Sequence, residues 1–316
     1  MFYYTNKRKR NKKILLIAGV VALAIALVFL IVLFANTIAS WFGDSSGSAE
    51  TTGTPTTSAA TPEPTPQKPL DESGLTVATR FGTPEGFKRV TVEKGSFGEF
   101  LRNYSLKAYG TVPKFKSGGE VEAAATMGVL NQILLSDNQT SPRAVMFLYA
   151  QYLYEREAYA LISFDFYTTP VFHFDYATWM TGQRVKVEGS KVEWYTPEGA
   201  EASEPTEENF QKYMKFAMAY ANTYSLKNQL NHASFTNLQV GDVIIENKHA
   251  LIVLDICRNE TTGEIRFICA EGSKDGVSEM YLLQDAGTQS VWLTLEENGT
   301  FVYNGDVYTA EAVRRF

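Results

Sequence analysis

The sequence predicts an α+β domain, and three features carry that expectation. They are a short alternating segment at residues 87–92, two amphipathic helical stretches starting at Ser141 and near Thr206, and three consecutive strand-like runs between residues 241 and 270. Strands that follow one another across short polar turns pair as antiparallel neighbours, so the last three runs form the expected heart of the fold, with the helices as core-packed partners.

In chain order, residues 1–13 form a basic head with Lys7, Arg8, Lys9, Arg10, Lys12 and Lys13, followed by an uncharged apolar run over residues 14–35. Its 22 residues exceed the about 20 that a helix needs to cross a hydrocarbon core, and the about 7–15 of a cleaved signal. A single transmembrane anchor is expected, with the basic head cytoplasmic and the remainder outside the cell membrane. Residues 36–74 turn to Ser, Thr, Gly and Pro, ending in runs such as Thr61-Pro62-Glu63-Pro64-Thr65-Pro66, which have little to bury and form a linker. Residues 75–316 are the right length for one extracellular globular domain.

Charge narrows the partners. Of 29 Lys and Arg, six lie in the head, leaving 23 against 35 Asp and Glu and a net charge of −12 beyond the anchor. That surface repels phosphate backbones, so nucleic acid is excluded as an expected partner.

Within the domain, Ser96-Phe97-Gly98-Glu99 reads as a capping box that opens a short helix through Leu101, and residues 121–135 read as strand or extended chain. The helix from Ser141 places Ala144, Val145, Leu148 and Tyr152 on one face and closes at Glu155, Arg156 and Glu157. A strand is expected at 161–166 and a pair of alternating segments at 185–195. A helix follows at 206–221, its Glu207 and Glu208 favouring the dipole. Asn304-Gly305 signals a type I′ hairpin, and residues 310–315 read as a closing short helix. Cys257 and Cys269 fall on two arms of one hairpin, where they either face each other as a disulfide or serve as small buried hydrophobes.

In the strand that opens with His249, alternation puts His249, Leu251, Val253, Asp255 and Cys257 on one face. Glu271 follows the neighbouring strand and can reach the same end of the sheet, where a carboxylate would orient an imidazole. A helix N-terminus beside that end supplies unpaired backbone donors for a developing oxyanion, and Ser141 occupies one. Ser-Pro at a helix start is also an ordinary structural cap, so Ser141 is either a nucleophile or a cap. His173 and His232 read as hydrogen-bonded structural residues. The three histidines lack zinc-ligand spacing, and the chain has neither a Gly-rich phosphate loop nor a Gly-x-Ser-x-Gly elbow. No metal or cofactor is expected.

Several motifs together resemble the bacterial family called domain of unknown function 4846. They include Gly86-Phe87-Lys88-Arg89, Ser96-Phe97-Gly98-Glu99-Phe100-Leu101-Arg102, Ala150-Gln151-Tyr152-Leu153-Tyr154, Tyr220-Ala221-Asn222-Thr223-Tyr224-Ser225-Leu226, Gly241-Asp242-Val243, His249-Ala250 and Arg315-Phe316. The family pattern starts the long helix with Cys-Ala-Asp, carries Gly-His-Ala at the histidine strand and places glutamine after the next strand. It is similar to papain-like cell-wall peptidases of the NlpC type, which implies an antiparallel sheet packed on core helices.

By that resemblance Ser141 stands at the cysteine position, Arg143 at the aspartate, Glu271 at the glutamine and Lys248 at the glycine. The departures fall on the residues the chemistry needs. The expectation is a membrane-anchored, non-catalytic papain-like domain that binds a cell-wall-derived peptide or glycan or a surface protein, with Arg143, Lys248 and Asp255 as ligand-binding residues. The alternatives are an active peptidase or amidase using Ser141, His249 and Glu271, and a structural component of a membrane complex. They divide on whether Ser141 Oγ lies within about 3 Å of the imidazole.

Overall fold

The computed structural model describes residues 70–121 and 126–316, so the basic head, the apolar run 14–35 and most of the 36–74 linker lie outside the described residues. Among the described residues no helix is long and apolar enough to cross a membrane.

The domain opens with short elements that close one end of the core. Thr76 and Thr79 form a reciprocal capping box on α1 (Val77–Arg80). β1 (Phe87–Arg89) is shorter than the alternation suggested. Ser96 caps α2 (Phe97–Arg102) by accepting from Glu99 N, and the Glu99 carboxylate reaches back one residue further than a capping box, to Gly95 N. Residues 126–135 form irregular chain, with isolated bridges from Val129 to Tyr281 and from Leu130 to Leu106.

α3 (Ser141–Glu155) is the central helix, with Ala144, Val145, Met146, Phe147, Leu148, Ala150 and Leu153 buried. Burying each large apolar side chain stabilises the fold by about 1.5–3 kcal/mol relative to exposure. A 3-10 turn at Tyr159–Leu161 shortens the next strand to β2 (Ser163–Phe166), which pairs with β3 (Phe172–Asp175). Asp175 caps α4 (Tyr176–Met180). The alternating pair is a hairpin of β4 (Arg184–Glu188) and β5 (Lys191–Tyr195). Thr206 caps α5 (Glu207–Tyr220), whose first turn holds Glu207 and Glu208, and Asn222 caps α6 (Thr223–Gln229).

The remaining strands are β6 (Asn231–His232), β7 (Val243–Glu246), β8 (His249–Asn259), β9 (Ile265–Glu271), β10 (Tyr281–Leu282), β11 (Phe301–Tyr303), β12 (Asp306–Tyr308) and β13 (Val313–Arg315). Six of them build an antiparallel sheet in the order β10-β9-β8-β7-β13-β6, with β1 paired to the far end of β8. Asn304 and Gly305, both at positive φ, turn the separate β11–β12 hairpin. The closing segment is not a helix. After a 3-10 turn at Ala310–Ala312 the chain extends as β13, because the open edge of β7 supplies ladder partners and Asp242 accepts two bonds from Arg315.

β8 is covered on both faces, which is why it reads as a nearly continuous apolar run. Ala250, Ile252 and Leu254 join the large core that also holds α3 and α5, while Leu251, Val253 and Ile256 join a second cluster with Phe235, Phe267 and Phe301. The alternation shifts at Leu254, where the register passes from Val253↔Cys269 to Asp255↔Ile268. The extra residue is a bulge, and it moves Asp255 and Cys257 off the face of His249. Consequently Cys257 packs in the large core and Cys269 in the second cluster, and both thiols are free. A disulfide between the two arms is overturned by that register.

Candidate active site

Ser141 is the first helical residue of α3, one position inside the N-cap Thr140, which makes no side-chain cap bond. The Ser141 hydroxyl is not a cap either. It lies 2.8 Å from His249 Nδ1 and accepts a bond of 3.1 Å from the Ala250 N–H. On the other side of the ring, His249 Nε2 lies 2.7 Å from Glu271 Oε2. Glu271 Oε1 in turn accepts from the Tyr281 hydroxyl at 3.1 Å.

The fold explains this convergence. Asn247 and Lys248, at φ 48 and 67, make a two-residue turn that starts β8 at His249, opposite Glu246. Leu251 pairs with Glu271, so the carboxylate sits on the diagonal from His249 and on the same face of the sheet. α3 packs across β8 and delivers its first turn to the strand's start.

The partners dictate the protons. Because a carboxylate only accepts, Glu271 takes Nε2 as the N–H, which leaves Nδ1 of the neutral ring as the acceptor to which the Ser141 proton is directed. The basic lone pair of the neutral ring therefore points at the hydroxyl. Around Glu271 the other titratable groups stay protonated: burial, reinforced by the Glu271 charge, raises the Tyr281 and Tyr308 phenols and the Cys269 thiol, and pushes the Tyr303 phenol up to about 12. The first turn of α3 has N–H groups without i−4 carbonyl partners, and Pro142 contributes none, so the first-turn backbone donors next to the serine are those of Ser141 and Arg143.

The site is closed. Ser141, His249 and Glu271 are 2 %, 5 % and 4 % exposed. Gly272 packs directly against the serine, such that a Cβ at Gly272 would meet Ser141 Cα and Cβ at 3.5 Å and the Ser141 nitrogen at 3.7 Å.

The three residues proposed from sequence for ligand binding are not gathered there. Arg143 donates from Nε to the Ala221 carbonyl at 2.8 Å and from Nη1 to Thr140 Oγ1 at 3.3 Å. Lys248 is exposed in its turn and lines a separate surface hollow of about 340 Å³ with Thr223, Tyr224, Lys227 and Glu246. Asp255, fully buried beyond the bulge, is held by Arg89 at 2.6 Å and Arg102 at 2.7 Å. The other histidines lie elsewhere: His173 is exposed and bonds Asp165 at 2.6 Å, and His232 pairs with Arg314 in the ladder. Among the described residues no cluster of metal-ligating side chains occurs.

Sequence reasoning missed Tyr281. The signal was the run Met280-Tyr281-Leu282-Leu283, a short apolar segment nine residues after β9 whose pairing as β10 the composition of the intervening loop concealed. An aromatic hollow of about 580 Å³, bordered by Phe97, Tyr149, Tyr152 and Phe316, contains none of Ser141, His249 and Glu271.

No curated protein and no solved structure matches the chain. One family profile does, over residues 77–312, which spans α1, both core helices, every residue of the hydrogen-bonded chain from Ser141 to Tyr281, and the sheet as far as the final 3-10 turn. The chain therefore belongs to the family described as Domain of unknown function (4846).

Proposed function

We propose that the domain is a hydrolase of amide or ester bonds in which Ser141 is the nucleophile, His249 the general base and Glu271 the residue that orients the imidazole. The observation that carries this reading is the 2.8 Å contact between Ser141 Oγ and His249 Nδ1 with Glu271 2.7 Å behind the ring. Serine has almost no anionic fraction near neutral pH and needs a positioned base, which the ring lone pair supplies.

In the forward step Oγ attacks the substrate carbonyl carbon as its proton passes to Nδ1, and the imidazolium is stabilised by the Glu271 carboxylate. The carbonyl oxygen becomes an oxyanion beside the first-turn N–H groups of α3. The Nδ1 proton then goes to the leaving amine or alcohol as its bond to carbon breaks. Water, activated by the same ring, hydrolyses the acyl-serine and restores Oγ–H. For this to proceed the segment at Gly272 must move aside, since it covers the serine.

The layout of helix-start nucleophile, strand histidine and next-strand carboxylate supports a papain-like, NlpC-like ancestry. With the apolar run 14–35 as a single-pass anchor, the substrate class is a cell-wall-derived peptide or a surface-protein segment outside the membrane. A second reading is favoured by the burial of all three residues: a non-catalytic domain that binds such a ligand while the Ser141-His249-Glu271 chain locks α3 to the sheet. Turnover of p-nitrophenyl acetate and of isolated wall peptides decides between them. Hydrolysis that is lost in Ser141→Ala supports the hydrolase, whereas no turnover together with equal sedimentation of wild type and Ser141→Ala on purified peptidoglycan supports the binding domain.

A further inference from the structure

We infer that Tyr281 is a positioning residue for the proposed reaction, acting through Glu271 to hold the carboxylate in the geometry that sets the protons on His249. The inference rests on the hydrolase reading but deepens it, because it assigns a role to a residue and to a segment of chain that the triad leaves unused.

Glu271 is the last residue of β9 and has two oxygens to satisfy in a buried place. Oε2 takes the imidazole N–H at 2.7 Å and Oε1 takes the Tyr281 hydroxyl at 3.1 Å, and Tyr281 is the direct cross-strand partner of Glu271. With one oxygen held on each side the carboxylate cannot rotate without breaking a charge-assisted bond. A carboxylate free to turn could present either oxygen, or neither, to the ring.

The phenol is itself held in place. Its ring belongs to a small separate cluster with Val121 and Val129, against which Phe115 packs, apart from both larger cores. That cluster is built on irregular chain pinned by the Leu130 N–H to Met280 carbonyl bond of 2.8 Å and the Leu282 N–H to Gly128 carbonyl bond of 2.9 Å. The segment before α3 thus braces Tyr281 from one side while β9 braces it from the other. Burial beside the carboxylate keeps the phenol protonated, so it serves as a constant donor. The other titratable groups that the Glu271 charge reaches, Tyr303, Tyr308 and Cys269, are likewise held neutral, and His249 Nε2 is the imidazole donor the carboxylate takes.

The test uses the full-length chain and two readouts. Histidine-ring NMR follows the titration of His249, which three histidines make assignable, and a fluorophosphonate probe reports the rate of Ser141 modification. Tyr281→Phe keeps the ring in its cluster and removes the hydroxyl alone. It is expected to move the His249 midpoint by about half a pH unit or more and to slow labelling about tenfold, the rate equivalent of one hydrogen bond to a charged group. In a Glu271→Gln background the same substitution is expected to add nothing to either readout.

An unmoved His249 titration overturns the inference, and so does a full additional effect in the Glu271→Gln background, which would mean that Tyr281 acts by some other route. If the wild-type chain is not labelled at all, the hydrolase reading fails, and the His249 titration still decides whether Tyr281 positions the carboxylate.

Discussion

β8 carries a buried polar cluster on each side of its bulge. Beyond Leu254, Asp255 is 0 % exposed and spends both oxygens on the guanidinium groups of Arg89 and Arg102. At the strand's start, His249 is equally enclosed but joins a hydroxyl, an imidazole, a carboxylate and a phenol in a line. The first cluster is one carboxylate shared by two guanidinium groups, with no hydroxyl or imidazole through which a proton could pass. The second holds a proton between two groups that can exchange it, which separates a reactive arrangement from a structural one of similar burial.

Breaking the structural cluster should have the largest effect. Asp255→Ala removes the buried carboxylate that two partly buried guanidinium groups share and is expected to cost about 3–5 kcal/mol in urea unfolding, the range for removing one partner of a buried ion pair. Ser141→Ala removes a neutral hydroxyl and should cost no more than about 1–2 kcal/mol by the same measurement. Equal losses at the two positions would erase the distinction between the clusters.

Gly272→Ala sharpens the comparison at the reactive end. Its Cβ would stand in ordinary contact, 3.5 Å from Ser141 Cα and Cβ, so the fold should change by less than about 1 kcal/mol. The same methyl adds bulk to the segment that has to leave the serine before a substrate carbonyl can approach, and fluorophosphonate labelling is expected to fall at least about tenfold. Unchanged labelling would place substrate approach on another side of the serine.

A milder effect is expected at high pH. Burial raises the phenols of Tyr104, Tyr176, Tyr213, Tyr281 and Tyr308 above the ordinary value of 10.0. A folded state that holds protons more tightly than the unfolded one has its full stability below that value and loses it as pH rises toward the folded values. Tyrosinate absorbance should therefore rise together with cooperative unfolding above pH 10, whereas gradual ionisation of the intact fold would contradict the burial. The smallest change is at Lys248, whose φ of 67 suits glycine. Lys248→Gly should stabilise the turn by about 0.5–1 kcal/mol in thermal unfolding, with labelling unchanged.

The helices at Ser96, Ser141 and Thr206 and the β7–β8–β9 run were legible because periodicity and caps are local: Thr206 before Glu207, and Ser96 three residues before Glu99. What sequence concealed depends on pairing across the chain. A single extra residue at Leu254 sends Asp255 to the other side of β8, and no composition signal marks it. Residues 313–315 become a strand because β7 offers an open edge, whatever their helical propensity. The Asn247-Lys248 turn lacks the Asn-Gly signature that made Asn304-Gly305 plain. For the site, residue types and order pointed to Ser141, His249 and Glu271, but whether the serine faced its own helix or the ring was a question of rotamer and packing, and Tyr281 entered through a two-residue strand.

The central claim is that His249 activates Ser141, and the most direct measurement is the intact mass and peptide map of the full-length chain after treatment with a fluorophosphonate. A single adduct on Ser141 that disappears in His249→Gln is the predicted result. No adduct on Ser141, or one formed equally fast in His249→Gln, would contradict it and leave the buried chain as a lock between helix and sheet.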